Sequence, residues 1–169
     1  MSPPTADMSP LYLLPDWDME AADCAAFTDS HATLTKDTGT YHDGTQSLKI
    51  AYLDAASGDA KWASPTFPTS ASLTYRLRGW ARGDGTAIPI VYTTTGGPYA
   101  SKWVGTSSTS WQPIDVSFTL GAAITNIALA GSVLSAGKAV WFDGVYIERS
   151  LVLAGRSGDT NRRYKWWAL

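Results

Sequence analysis

The feature that most constrains this chain is a rhythm. Short runs in which apolar and polar residues alternate are broken about every ten residues by glycine, proline, serine or aspartate. The clearest run is Ser72–Arg82, where Leu73, Tyr75, Leu77, Gly79 and Ala81 share one side of a period-two repeat and Thr74, Arg76, Arg78, Trp80 and Arg82 share the other. Gln46–Leu53 repeats the pattern with Leu48, Ile50 and Tyr52, and Trp111–Leu120 with Ile114, Val116 and Phe118. Ala87–Thr94, Ser101–Gly105, Ile124–Val133 and Val140–Glu148 add further strand-like segments, while Ala21–Phe27 has room for one helical turn at most. The turn Arg82-Gly-Asp-Gly-Thr86 reads as the link of a hairpin. Ala60–Ser64, followed by Pro65 and Pro68, reads as an edge strand or loop. Roughly eight to ten short strands and no long helix predict an all-β fold, an antiparallel β-sandwich.

Composition supports a packed core. Hydrophobic residues make up 44% and charged residues 17% of 169 residues, which excludes wholesale disorder. Thirteen aspartates stand against two glutamates, a bias toward turns and away from helices. The chain divides into an N-terminal arm, 1–12, containing Pro3, Pro4 and Pro10; a body, 13–148; and a tail, 149–169. The tail holds five basic residues against one acidic, and the body with its arm holds eight against fourteen. Such asymmetry predicts a separate partner for the tail, with Arg162, Arg163, Tyr164, Lys165, Trp166 and Trp167 as its docking residues. An acidic body speaks against nucleic acid, and no apolar run is long enough to span a membrane. The N-terminus lacks the pattern of a signal peptide, so synthesis in the cytoplasm is expected.

One charge is out of place. Val140-Trp-Phe-Asp-Gly-Val-Tyr-Ile-Glu148 reads as the closing strand, yet Asp143 sits in the middle of it. A buried carboxylate needs a partner, and the expected one is the N-terminal segment Asp16-Trp-Asp-Met-Glu20. Alternatives are a salt bridge to Lys49 or backbone N–H donors. Catalysis is not expected: the two glutamates lie near opposite ends of the body, and no Ser/His/Asp order, phosphate loop or zinc spacing is present. His31 and His42 fall in turn-rich segments and read as exposed. The single Cys24 excludes an intramolecular disulfide and reads as a small buried hydrophobe.

Three motifs in order resemble the carbohydrate-binding-module jelly rolls with a galactose-binding-like fold: Asp16-Trp-Asp-Met-Glu20, Gly44-Thr-Gln-Ser-Leu-Lys-Ile50 and Phe142-Asp-Gly-Val145. The resemblance spans about residues 13–148. It implies a structural calcium held by the side chains of Glu20 and Asp143, with backbone carbonyls from Asp18 and near Lys49. It also implies sugar-stacking aromatics with polar neighbours, for which Trp62, Arg76, Arg78, Trp80, Tyr92, Tyr99 and Trp103 are the candidates. An unsecreted jelly roll with arms is similar to accessory virion proteins of tailed bacteriophages. The expected function is therefore a non-enzymatic virion structural or decoration protein, in a multi-copy assembly of head or tail. The alternative is a lectin-like module that attaches to host or surface polysaccharide.

Overall fold

The computed structural model describes residues 11–12, 14–54, 59–62, 74–94, 100–119, 126–132 and 136–150. They form strands β1 (Leu11–Tyr12), β2 (Phe27–Ser30), β3 (Ala32–Asp37), β4 (Ser47–Tyr52), β5 (Asp59–Trp62), β6 (Thr74–Arg82), β7 (Ile88–Thr94), β8 (Ala100–Val104), β9 (Gln112–Thr119), β10 (Asn126–Ser132) and β11 (Ala139–Ser150). No helix occurs among the described residues.

Every pairing is antiparallel. One sheet runs β3-β4-β11-β6-β9, with β1 also paired to β11; the other runs β2-β5-β10-β7-β8. The period-two pattern decides which side of each strand is buried. Leu48, Ile50 and Tyr52 of β4, Tyr75, Leu77 and Ala81 of β6, and Val140, Phe142, Val145 and Ile147 of β11 enter the core from the first sheet. Phe27, Val91, Ile127 and Leu129 meet them from the second. Leu14 and Met19, from the loop before β2, join the same core. Each such side chain contributes about 1.5–3 kcal/mol on burial, so the sandwich is held mainly by these facing rows. Cys24 packs against the core as a partly buried apolar residue, and burial pushes its thiol pKa up.

Several expectations need correction. β6 and β7 are not a hairpin. They lie in different sheets, and the turn between them crosses the sandwich. Asp84 makes that crossing: its Oδ1 accepts the N–H groups of Thr86 and Ala87 at 2.8 Å each, and its Oδ2 accepts the Ala139 N–H of β11 at 3.1 Å. β5 is not an edge but lies between β2 and β10, paired to both. Residues 21–26 form bends and a turn with no helix, and β2 begins at Phe27. β1 pairs Leu11 with Glu148, and β11 continues to Ser150, so the first sheet reaches past residues 13 and 148 on both sides. The rest of the arm and tail lies outside the described residues.

Candidate functional site

The outer surface of the first sheet is where the chemistry gathers. On β6 the outward row is Arg76, Arg78, Trp80 and Arg82, as the alternation predicts. Opposite them β9 presents Pro113 to Trp80 and Asp115 to Arg78. On the other side β11 presents Trp141 to Arg82, Asp143 to Trp80, Tyr146 to Arg78 and Glu148 to Arg76. This row is possible only because the register shifts between Asp143 and Tyr146. Gly144, at φ +55°, supplies the extra residue of a bulge. Phe142 and Val145 therefore point inward while Asp143 and Tyr146 share the outer side.

Two loops fold over that row and bury Asp143 to 1% exposure. In the first, 14–26, turns close from Trp17 N–H to the Leu14 carbonyl and from Met19 N–H to the Asp16 carbonyl. Asp16 and Met19 adopt φ of 53° and 61° to do so. Lys36 fixes this loop from beneath: its ammonium pairs with Asp16 and donates to the Met19 carbonyl at 2.9 Å, and the pair is nearly fully buried. The Gln46 amide adds bonds to the carbonyls of Met19 and Ala21. The loop then reaches β11 through Val145 N–H, which donates to the Trp17 carbonyl at 2.8 Å.

The second loop, 38–46, is what meets the Asp143 carboxylate. Oδ2 accepts the N–H groups of His42 at 2.7 Å and Asp43 at 3.0 Å, whereas Oδ1 is buried with no hydrogen-bond partner. Of the partners weighed for Asp143, the structure selects backbone donors; the N-terminal segment touches the next core residue instead. Burial raises the Asp143 pKa, and the Asp43 and His42 N–H bonds only partly oppose it. Glu20 joins the two loops. Its Oε1 accepts Thr45 and Gln46 N–H at 2.9 and 3.2 Å, and its Oε2 accepts the Thr45 hydroxyl at 2.5 Å. The Thr45 hydroxyl bond, first among these, holds the Glu20 pKa below its ordinary value.

Between these loops and the sheet lies a hollow of about 380 Å³. Trp17, Trp80 and Tyr146 supply its aromatic lining, and Asp18, Glu20, Asp43 and Asp143 its carboxylates. A second hollow of about 200 Å³ adjoins it, lined by Arg78, Trp80, Pro113, Asp115 and Tyr146 among others. Trp80 and Tyr146 line both. Trp17 meets Tyr146 edge to face at 5.9 Å, and the His42 ring stacks on Trp80 at 3.9 Å with Trp111 edge-on to it. His42 is thus a half-buried member of an aromatic cluster, not the exposed loop residue expected.

The remaining candidates separate. Arg76 holds Asp115 through two bonds of 2.6 and 2.5 Å, and Arg78 lies 3.9 Å from Asp115 and 3.7 Å from Glu148. Arg78 lines the second hollow, and Arg76 belongs with it to an ion-pair chain across β9, β6 and β11. Trp103 faces the same side as Val91 and packs against the main core, so it is not an outer platform. Tyr92 is also no platform. It sits at 9% exposure beside Ala128 and Ala130, whose small side chains leave room for its ring. Trp62 lies in β5 opposite Phe27. Tyr99 and the tail residues Arg162 to Trp167 lie outside the described residues.

A calcium ion takes about six to eight oxygens, and the donors here do not fit one. Both Glu20 oxygens and one Asp143 oxygen already accept protein N–H or O–H groups. Lys49, near which a backbone carbonyl was expected, lies within β4 opposite Trp141 and Thr35 and is not among the residues lining the hollow. Among the described residues no three His, Cys, Asp or Glu side chains gather as a metal set. A cation does hold the N-terminal loop, but it is the Lys36 ammonium.

Of the residues singled out in the sequence, Asp18, Glu20, Arg78, Trp80 and Asp143 line these two hollows; Trp17, Asp43 and Tyr146, which also line them, and His42, which stacks on Trp80, were not singled out. The signal for Tyr146 was the Asp143-Gly144 pair inside a strand, which marks a bulge and moves Tyr146 to the side of Trp80.

No protein-family model matches the chain, and no curated protein matches it in sequence. Solved structures do. The CBM22-1 xylan-binding domain from Paenibacillus barcinonensis Xyn10C aligns over 78% of this chain and 90% of its own, with a TM-score of 0.57 and 15% identity. A CBM61 module solved in complex with β-1,4-galactotriose aligns over 84% and 100%, with a TM-score of 0.59 and 16% identity. A family 16 carbohydrate-binding module aligns over 80% and 99%, with a TM-score of 0.60 and 14% identity. At these identities the likeness is one of fold: this chain has the sandwich of carbohydrate-binding modules.

Proposed function

We propose that this chain is a non-catalytic carbohydrate-binding module whose glycan lies on the outer side of the first sheet, over Trp80 and Tyr146. The observation that carries the reading is the pair of adjoining hollows that share those two aromatics. A pyranose presents an apolar side to an aromatic ring and hydroxyls at its rim. Here carboxylates lie on one side of the ridge and an arginine–aspartate pair on the other, so hydroxyls of successive residues find acceptors and donors within reach. The larger hollow falls in the volume range of small-molecule sites. The fold neighbours support this glycan-attachment reading. They lend nothing to the expectation of a virion decoration protein, which the described residues do not favour either.

The test is affinity electrophoresis through a panel of soluble polysaccharides, followed by calorimetry on the best oligosaccharide. Trp80→Ala and Tyr146→Ala should each weaken binding at least about tenfold, the equivalent of 1.4 kcal/mol. Circular dichroism on both variants establishes that they remain folded. If no polysaccharide retards the wild-type protein, the reading is wrong.

A further inference from the structure

The ridge of Trp80 and Tyr146 is closed on the side of the loops. Loop 38–46 lies across the outer side of β4 and β11: the Ser47 hydroxyl donates to the Thr40 carbonyl, and the His42 and Asp43 N–H groups reach Asp143, the residue opposite Trp80. Ser47 and Asp143 are both buried beneath it. Loop 14–26 is tied to this roof, because Glu20 accepts the Thr45 and Gln46 N–H groups and the Gln46 amide donates to the Met19 and Ala21 carbonyls. The rings themselves are flanked. His42 lies flat on Trp80, 3.9 Å away and 13° from parallel, with Trp111 edge-on to it, and Trp17 abuts Tyr146. The smaller hollow has the opposite character. Neither Trp17, His42 nor Trp111 lines it, and it is bordered by the exposed Pro113 and Asp115 of β9, the last strand on its side of the sheet.

We propose that the site takes the end of a glycan chain and not its interior. The terminal residue lies on Trp80 and Tyr146, and the chain leaves over Arg78, Pro113 and Asp115. This deepens the glycan-binding reading above and rests on it. A site for the interior of a polymer needs two openings, one on each side of the bound residue. Here a residue added beyond Trp80 would meet the His42 ring and the loop that covers Asp143, and one added beyond Tyr146 would meet Trp17. Making room would break the N–H bonds to a buried carboxylate and leave that group unpaired. Selectivity then comes from a built-in clash with the continuing chain, with no extra attraction to the terminal residue. Trp17 and His42 are the residues that set it.

Counting sites separates the possibilities. The polysaccharide that most retards the protein in electrophoresis is cut into fractions of falling mean length, and each is titrated by calorimetry at equal mass concentration. Sites per gram should rise in proportion to the number of chain ends. Constant sites per gram across the fractions overturns the chain-end inference and leaves glycan binding standing. Absence of binding by every polysaccharide and every fraction removes both. The exit path has its own readout in Arg78→Ala, checked for folding by circular dichroism. This variant should weaken a trisaccharide of the same linkage at least about threefold more than the methyl glycoside of its terminal sugar, both followed by NMR titration. Equal weakening of the two ligands means that the chain does not leave over Arg78, and the inference is wrong.

Discussion

Asp143 accepts two N–H bonds on one oxygen and none on the other, so burial leaves its charged form at a disadvantage. Its pKa in the folded protein lies above the ordinary value of 3.8, chiefly through desolvation. The folded state therefore holds a proton that the unfolded chain has already released, and stability falls as pH rises from that ordinary value through the raised one. Asp84 runs the other way. Burial would raise its pKa, but the N–H groups of Ala87, Thr86 and Ala139 together lower it, so its contribution is present at neutral pH and lost on acidification. Asp143→Asn keeps an oxygen for His42 and Asp43 and removes the titration. Asp84 and the other carboxylates with lowered pKa act alike in both proteins, so the wild-type urea midpoint should fall relative to that of the variant as pH rises from about 3 to about 7. Identical profiles would refute the assignment.

At the level of elements, the site depends on how β11 pairs with β6. The bulge at Gly144 shifts Tyr146 to the outer row, and the facing Gly79, at φ +155°, gives the opposing backbone room to approach. A Cβ at Gly79 would stand 2.9 Å from the Gly144 carbonyl oxygen and the Val145 Cα, atoms that cannot swing away. A Cβ at Gly144 meets nothing within 4 Å, so only its left-handed backbone resists substitution. Gly144→Ala should therefore lose about 1 kcal/mol, and Gly79→Ala more, about 2–3 kcal/mol from forced strand separation. Equilibrium urea unfolding ranks the two, and the reverse order would contradict the geometry.

On the scale of the whole molecule, the first and last parts of the chain are joined by protein groups. Val145 donates to Trp17, Glu20 caps the 44–46 turn, the 42–43 N–H pair meets Asp143, and Lys36 anchors the loop carrying Asp16 and Met19. Breaking a buried ion pair by removing one partner costs about 3–5 kcal/mol, so Lys36→Met should lower Tm sharply. Chelators should leave Tm unchanged, because the closure relies on an ammonium rather than a metal. A fall in Tm with chelator, restored by calcium, would reinstate the calcium expected from the resemblance.

How much of this was legible follows from what each feature depends on. Strand alternation is a local property, and it placed Arg76, Arg78 and Trp80 outward and Leu48, Ile50 and Tyr52 inward before any coordinates. The misfit of Asp143 was equally local, since a carboxylate among Val, Trp, Phe and Ile announces that it needs partners. Local rules also misled. A glycine–aspartate turn between two strands reads as a hairpin whether or not the strands share a sheet, and β6 and β7 do not. The sequence by itself determined the sandwich, its alternating faces and the existence of a problem at Asp143. Only the tertiary structure decided the solution. His42 and Asp43 lie about a hundred residues away in the chain. Backbone N–H groups carry no side-chain signature, so nothing in the residue types marks which loop will bring them to Asp143, or that its second oxygen is left waiting for a donor.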